Sequence, residues 1–186
     1  MAFFDEARRE PPPRPVVRPV WAGPQPGVLP GYSNQSAFVF HTDAGALAVH
    51  GFEVYPNGIQ FKVSFWEREP DPYAHDSPFD SPIGRHGRVD ASFVRFGVQF
   101  EDGSRWTNLD SSVWGGDAPV APFVTQQGGG GGGGDWTYRH WIWPIPEGTS
   151  LTFVGAWPKF NVPESTVSVN LDEMRSRLVD VKTVWD

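Results

Sequence analysis

The chain has 186 residues, a formal net charge of −7 at pH 7 and no cysteine. Its length suits one domain with extensions and is enough to bury a core without covalent staples. The missing cysteine excludes disulfides and thiolate chemistry and fits a reducing compartment, so a cytoplasmic location is expected. The acidic balance speaks against a bulk electrostatic grip on nucleic acid or an anionic membrane. No stretch approaches the roughly 18 apolar residues of a spanning helix. The N-terminus, MAFFDEARREPPPRP, places acids and arginines where a secretory signal would carry its apolar region.

Residues 1–35 read as a proline-rich arm. Pro11, Pro12, Pro13, Pro15, Pro19, Pro24, Pro26 and Pro30 remove backbone donors and fix φ, so helix and central strand are excluded there. Val16, Val17, Val20 and Trp21 give the arm something to bury, on its own domain or on a neighbour.

The domain proper is expected over residues 36–186. Ala37 to His41 is a β-prone run, and Ala46 to Tyr55 a longer one, closed by Pro56-Asn57-Gly58. Asn-Gly between two such runs signals a hairpin. After it Ile59, Phe61, Val63 and Phe65 alternate with Gln60, Lys62 and Ser64, the period of a half-buried strand. Residues 67–90 break all periodicity with four prolines and read as a long loop. Val94, Phe96, Val98 and Phe100 restore the alternation, and a turn at Glu101 to Ser104 leads into a short partner strand, Arg105 to Leu109. Residues 110–134 read as irregular, ending in the seven glycines Gly128 to Gly134. Trp136 to Trp143 then alternates with bulky residues on both faces. Leu151 to Trp157 is apolar on both faces and reads as a central strand, the pattern of strands buried on both faces. Val167, Val169 and Leu171 mark a last strand. A short helix follows, capped by Asn170 or Asp172, with Met174, Leu178 and Val181 on one face. The count of short strands, with no βαβ alternation, predicts an all-β antiparallel two-sheet sandwich, jelly-roll or immunoglobulin-like, with a C-terminal helix. A β-barrel is the alternative.

Around the glycine run the sequence resembles a group of actinobacterial proteins of unknown function. The resemblance rests on Gly128 to Gly134, then Trp136, Tyr138, Trp141, Ile142, Trp143 and Pro144, then Leu151 to Val154, Trp157-Pro158 and Pro163 to Thr166. Ala46 to Phe61 is also similar to that group. The resemblance implies one coherent domain after the arm and carries no activity, cofactor or catalytic residue.

Four constellations bear on function. The glycine run reads first as a flexible loop. A phosphate loop needs a lysine, a hydroxyl and a following helix, and none is in place. Close packing of another backbone, or a contact surface through Gly128, Gly131 and Gly134, is the further reading. Second, Trp136, Tyr138, Trp141, Trp143 and Trp157 are core if both faces of their strands are covered. If one face is open, Trp141 and Trp143 with Arg139 form an exposed platform for a protein or a sugar ring. Third, His75, Asp76, Asp80 and His86 are weak candidates for a metal, since no established ligand spacing is present. Fourth, no G-x-S-x-G elbow and no assignable carboxylate pair supports hydrolysis.

These features favour a non-enzymatic interaction or structural module without a cofactor, self-associating or binding a protein partner through its arm and aromatic strands. A carbohydrate- or small-ligand-binding sandwich is the alternative. A metal-dependent enzyme using the acids and histidines of the 67–90 loop is the third reading.

Overall fold

A computed structural model describes residues 19–71, 77–79, 89–110 and 118–185. In chain order the strands are β1 (Val28–Leu29), β2 (Gly31–Ser33), β3 (Ala37–His41), β4 (Gly45–Tyr55), β5 (Gly58–Glu67), β6 (Arg95–Gln99) and β7 (Arg105–Thr107). They continue with β8 (Phe123–Gly132), β9 (Asp135–Trp143), β10 (Ser150–Trp157), β11 (Val162–Asn170) and, after helix α1 (Leu171–Ser176), β12 (Lys182–Thr183). One sheet runs β2-β4-β5-β9-β8, with β3 also paired to β4; a second runs β11-β10-β6-β7; β1 and β12 form a small ribbon. All pairings are antiparallel. Both main sheets are open, so the fold is a sandwich and not a closed barrel. No described helix is long and apolar enough to cross a membrane.

Period-2 patterning explains the core. Ile59, Phe61, Val63 and Phe65 of β5 are fully buried, as are Phe96 and Val98 of β6 and Leu151, Phe153 and Trp157 of β10. Their rings interlock between the sheets: Phe61 lies 5.1 Å from Phe153, and Phe96 stacks on Phe153 at 6.0 Å. Each buried ring of this kind contributes on the order of 1.5–3 kcal/mol. The hairpin at Pro56-Asn57 forms, with Tyr55 opposite Gly58.

The helix begins where the sequence places it. Asn170 is its cap, and its side chain accepts from the Glu173 amide at 2.8 Å. Leu171 and Met174 are fully buried beneath it. Glu173 ties the helix to the other end of the domain by accepting from the Ser33 hydroxyl at 2.5 Å and from Gln35 at 2.9 Å.

Three expectations need correction. The stretch 110–134 is not irregular throughout, because β8 occupies Phe123–Gly132. The glycines are therefore not a flexible loop: their partner strand β9 supplies the order that their own side chains cannot. And β10, though central in its sheet, is covered on one face only. Leu151, Phe153 and Trp157 are buried while Thr152, Val154 and Ala156 are half-buried on the open side. Within residues 19–35, where the sequence excludes helix and central strand, β2 pairs with Phe52 to Val54 at an edge. An edge is where a proline-rich segment can pair.

Candidate functional site

The feature that stands out is the hairpin β8–β9. Its turn is Gly133-Gly134, with φ of 59° and 86°. Two successive residues at positive φ make the tight turn whose twist suits a hairpin, and glycine takes it without strain. The turn is anchored, because Glu67 N–H donates to the Gly134 carbonyl at 2.8 Å. From it Gly132, Gly131, Gly130, Gly129 and Gly128 pair with Asp135, Trp136, Thr137, Tyr138 and Arg139. A register shift between Gln126 and Gly128 interrupts the ladder, which continues through Gln126–His140 to Phe123–Trp143.

The glycines fall into two classes. A Cβ at Gly129 would strike the Thr137 carbonyl oxygen and Tyr138 Cα, and one at Gly131 the Asp135 carbonyl and Trp136 Cα. At these two positions the approach of β9 excludes any side chain. A Cβ at Gly128, Gly130 or Gly132 would meet nothing within 4 Å. Steric demands inside the chain therefore do not require glycine at 130 or 132. Gly129 to Gly133 are all exposed.

Because Gly132 and Asp135 flank a two-residue turn, they are a hydrogen-bonded pair, and so are Gly130 and Thr137. By the same alternation the N–H and C=O of Gly129 and Gly131 point away from β9, along the sheet edge. Among the described residues no hydrogen bond reaches them. No charge and no proline lies in β8, so beyond the register shift at Gln126/Gly128 no described residue blunts the edge over its glycine half.

The aromatic contact surface is narrower than the sequence implies. Trp157 is 1% exposed; its indole donates to the Ser92 carbonyl at 3.1 Å and its ring meets Phe65 edge-on at 4.8 Å. Tyr138 is buried and its hydroxyl donates to Ser77 at 2.6 Å. Trp141 lies on the outer face of the six-stranded sheet yet is 0% exposed. Residues 19–23 of the arm cover it: its indole donates to the Trp21 carbonyl at 3.0 Å, and Trp21 packs edge-on against Phe123. Gln127 donates to the Ala22 carbonyl, and Asn57 to those of Val20 and Gly23. Trp136 and Trp143 stay half-buried. Arg139 is exposed, opposite Lys62 on β5 and Gly128 on β8.

Sequence reasoning missed two histidine environments. His50 Nε2 lies 2.9 Å from Ser64 Oγ, which lies 2.6 Å from Thr137 Oγ1. Burial and then the charge of Lys62 lower the His50 pKa. Ser64 is only 2% exposed and sits between two partners, so no nucleophile is presented. His140 is 1% exposed between the sheets, ringed by Phe61, Phe96 and Trp106. Burial pulls its pKa down to about 3, against a smaller opposing effect of the Tyr138 backbone, and Nδ1 has no partner. Neighbouring strands of one sheet assemble the His50 environment and the facing sheet that of His140, and no sequence period signals either. His75, Asp76, Asp80 and His86 lie outside the described residues. No cluster of metal-ligating side chains occurs among the described residues.

A separate groove of about 650 Å³ lies on the open face of the four-stranded sheet. Gly97, Val154 and Ala156 line its floor, with Arg95 and Arg105 nearby. The chain matches no protein-family model, no curated protein and no solved structure.

Proposed function

We propose that this domain is a non-enzymatic interaction module that associates with a second copy of itself through the glycine edge of β8. The observation that supports this reading is the exposed edge at Gly129–Gly132, where the described residues leave the Gly130 and Gly132 positions free for a side chain. An unpaired edge without charge or proline is a template for another strand. The described part of the arm serves the domain itself, by covering Trp141. The association is weak on this reading. A few edge hydrogen bonds of about 1 kcal/mol each stand against an association cost of at least about 4 kcal/mol.

Sedimentation velocity over a wide concentration range tests it. Native protein shifts reversibly from monomer toward dimer as its concentration is raised to the highest attainable. The double variant Gly130→Lys/Gly132→Lys, whose side chains enter open space, stays monomeric with unchanged thermal stability. A native protein that remains a strict monomer at the highest concentration refutes the reading.

The groove beside Gly97 supports a second reading, a small-ligand-binding sandwich. Its volume falls in the range of ligand sites. Neither Arg95 nor Arg105 has a carboxylate partner among the described residues, so an anionic ligand suits it better than a neutral sugar. Titration with organic phosphates and dicarboxylates, followed by calorimetry, separates the readings: saturable binding lost in Arg95→Gln supports this one.

A further inference from the structure

The open face of the four-stranded sheet carries three charges that nothing nearby answers. Arg95, Arg105 and Glu164 all line the groove and all are exposed. No ion pair reaches any of them among the described residues. The nearest rings belong to the opposite face of the sheet, where Phe96 stacks on Phe153 and Trp106 meets His140. Recognition in the groove therefore falls to charge and to the shape of the floor.

The register fixes how the charges are spaced. Arg95, Gly97 and Gln99 alternate onto the groove face of β6. Arg105 pairs with Gln99, and Thr107 with Gly97, so both share that face. On the other side Ala156 pairs with Arg95. Ser165 pairs with Gly155 on the buried face, so Glu164 falls beside Ala156 on the groove face, at the register shift that follows Gly155. One row then reads Glu164, Ala156, Arg95, and Arg105 stands two rows further along. With about 4.8 Å between strands and 3.4 Å per residue, Glu164 and Arg95 are roughly 10 Å apart at the backbone, and Arg95 and Arg105 roughly 14 Å. Gly97, without a side chain, lies low between the two arginines.

Side chains stand roughly perpendicular to a sheet, so these gaps carry over to the charged ends. A small molecule fits between them. An arginine–carboxylate pair spans about 4 Å from guanidinium carbon to carboxylate carbon. Two carboxylates about 5–6 Å apart then fill the gap between Arg95 and Arg105, which is the separation across an extended chain of about five or six carbons. The shorter gap, between Glu164 and Arg95, takes an ammonium and a carboxylate on one carbon, with an ammonium–carboxylate contact of about 2.8 Å at one end and the arginine pair at the other. A plain dicarboxylate leaves Glu164 unanswered and brings a like charge toward it.

We infer that the groove binds a free acidic α-amino acid about the length of glutamate. Arg95 holds the α-carboxylate, Glu164 the α-ammonium and Arg105 the distal carboxylate, with the carbon chain over Gly97. This rests on the small-ligand reading of the groove; it names the ligand class and the acid that selects it.

Calorimetric titration with three probes tests it: L-glutamate, glutarate, which lacks the ammonium, and L-norvaline, which lacks the distal carboxylate. L-glutamate binds tighter than either analogue by about tenfold or more, the effect of one charge-assisted hydrogen bond. Glu164→Gln lowers its affinity to that of glutarate without weakening glutarate itself, and Arg105→Gln lowers it to that of L-norvaline. Both side chains are exposed, so both variants keep the native thermal melt. If glutarate or L-norvaline binds as tightly as L-glutamate, the amino-acid assignment is overturned, and binding of glutarate alone leaves the anionic-ligand reading standing. If none of the three binds, the assignment falls, and organic phosphates that also fail to bind take the small-ligand reading with it.

Discussion

Trp141 and Trp21 are joined by one hydrogen bond, from the Trp141 indole N–H to the Trp21 carbonyl, 3.0 Å long. Through it a proline-rich segment covers a tryptophan that would otherwise sit bare on the outer face of a sheet. An aromatic platform and a buried anchor differ here by five residues of arm. Trp141→Phe removes the bond and part of the ring, and we expect a loss of about 1–3 kcal/mol. Limited proteolysis then cuts near residues 19–27 faster than in the native protein, and thermal unfolding records the loss.

The glycine run behaves as two interleaved sets. Gly129→Ala and Gly131→Ala drive a methyl into the backbone of β9, so each destabilises by about 1–3 kcal/mol or more. Gly130→Ala and Gly132→Ala enter open space and stay within about 0.5 kcal/mol of native, or stabilise slightly by restricting the unfolded chain. Denaturant melts of the four variants check this alternation. Equal effects at all four positions contradict the register of the hairpin.

His140 makes stability fall on mild acidification. Its folded pKa is depressed from 6.5 to about 3 by burial, so above pH 6.5 it is neutral both folded and unfolded and has no effect. Below that the unfolded chain takes up a proton the folded one refuses, and stability drops by about 1.4 kcal/mol per pH unit. Glu101, held near 2 by hydrogen bonds from Thr149 and Ser150, acts only below pH 4.5. Between pH 6.5 and 5 the slope therefore reports on His140 together with His50, whose pKa burial and the charge of Lys62 also lower. His140→Phe reduces that slope to the share of His50 and costs at most about 1 kcal/mol at pH 8, since Phe suits the ring of Phe61, Phe96 and Trp106 and only the contact with the Tyr138 backbone is lost.

Much of the architecture is legible in the sequence, where side chains alternate. Ile59 to Phe65 and Val94 to Phe100 carry the period of a strand, Leu151 to Trp157 is a short apolar run on both faces, and each forms a strand. Asn170 is legible as a cap because its short amide can close the first turn. What escapes is what depends on a partner. Seven glycines have no period, so β8 takes its strand geometry from β9, and a turn at Gly133-Gly134 is not distinguishable within the run. Trp141 alternates to the outer face as expected, but its burial depends on Trp21, 120 residues away. The open side of β10 is hidden in the same way, because Val154 and Ala156 are apolar whether or not something covers them.

On the proposed reading, the edge of β8 is where this chain meets its own copy. Amide hydrogen exchange of Gly129 and Gly131, followed by NMR in dilute and concentrated samples, tests it most directly. Both amides point out of the hairpin, so in dilute solution they exchange fast. At concentrations that favour the dimer they slow at least tenfold, while Gly130 and Gly132, bonded within the hairpin, keep their rates. Equal exchange of Gly129 and Gly131 at both concentrations contradicts the account.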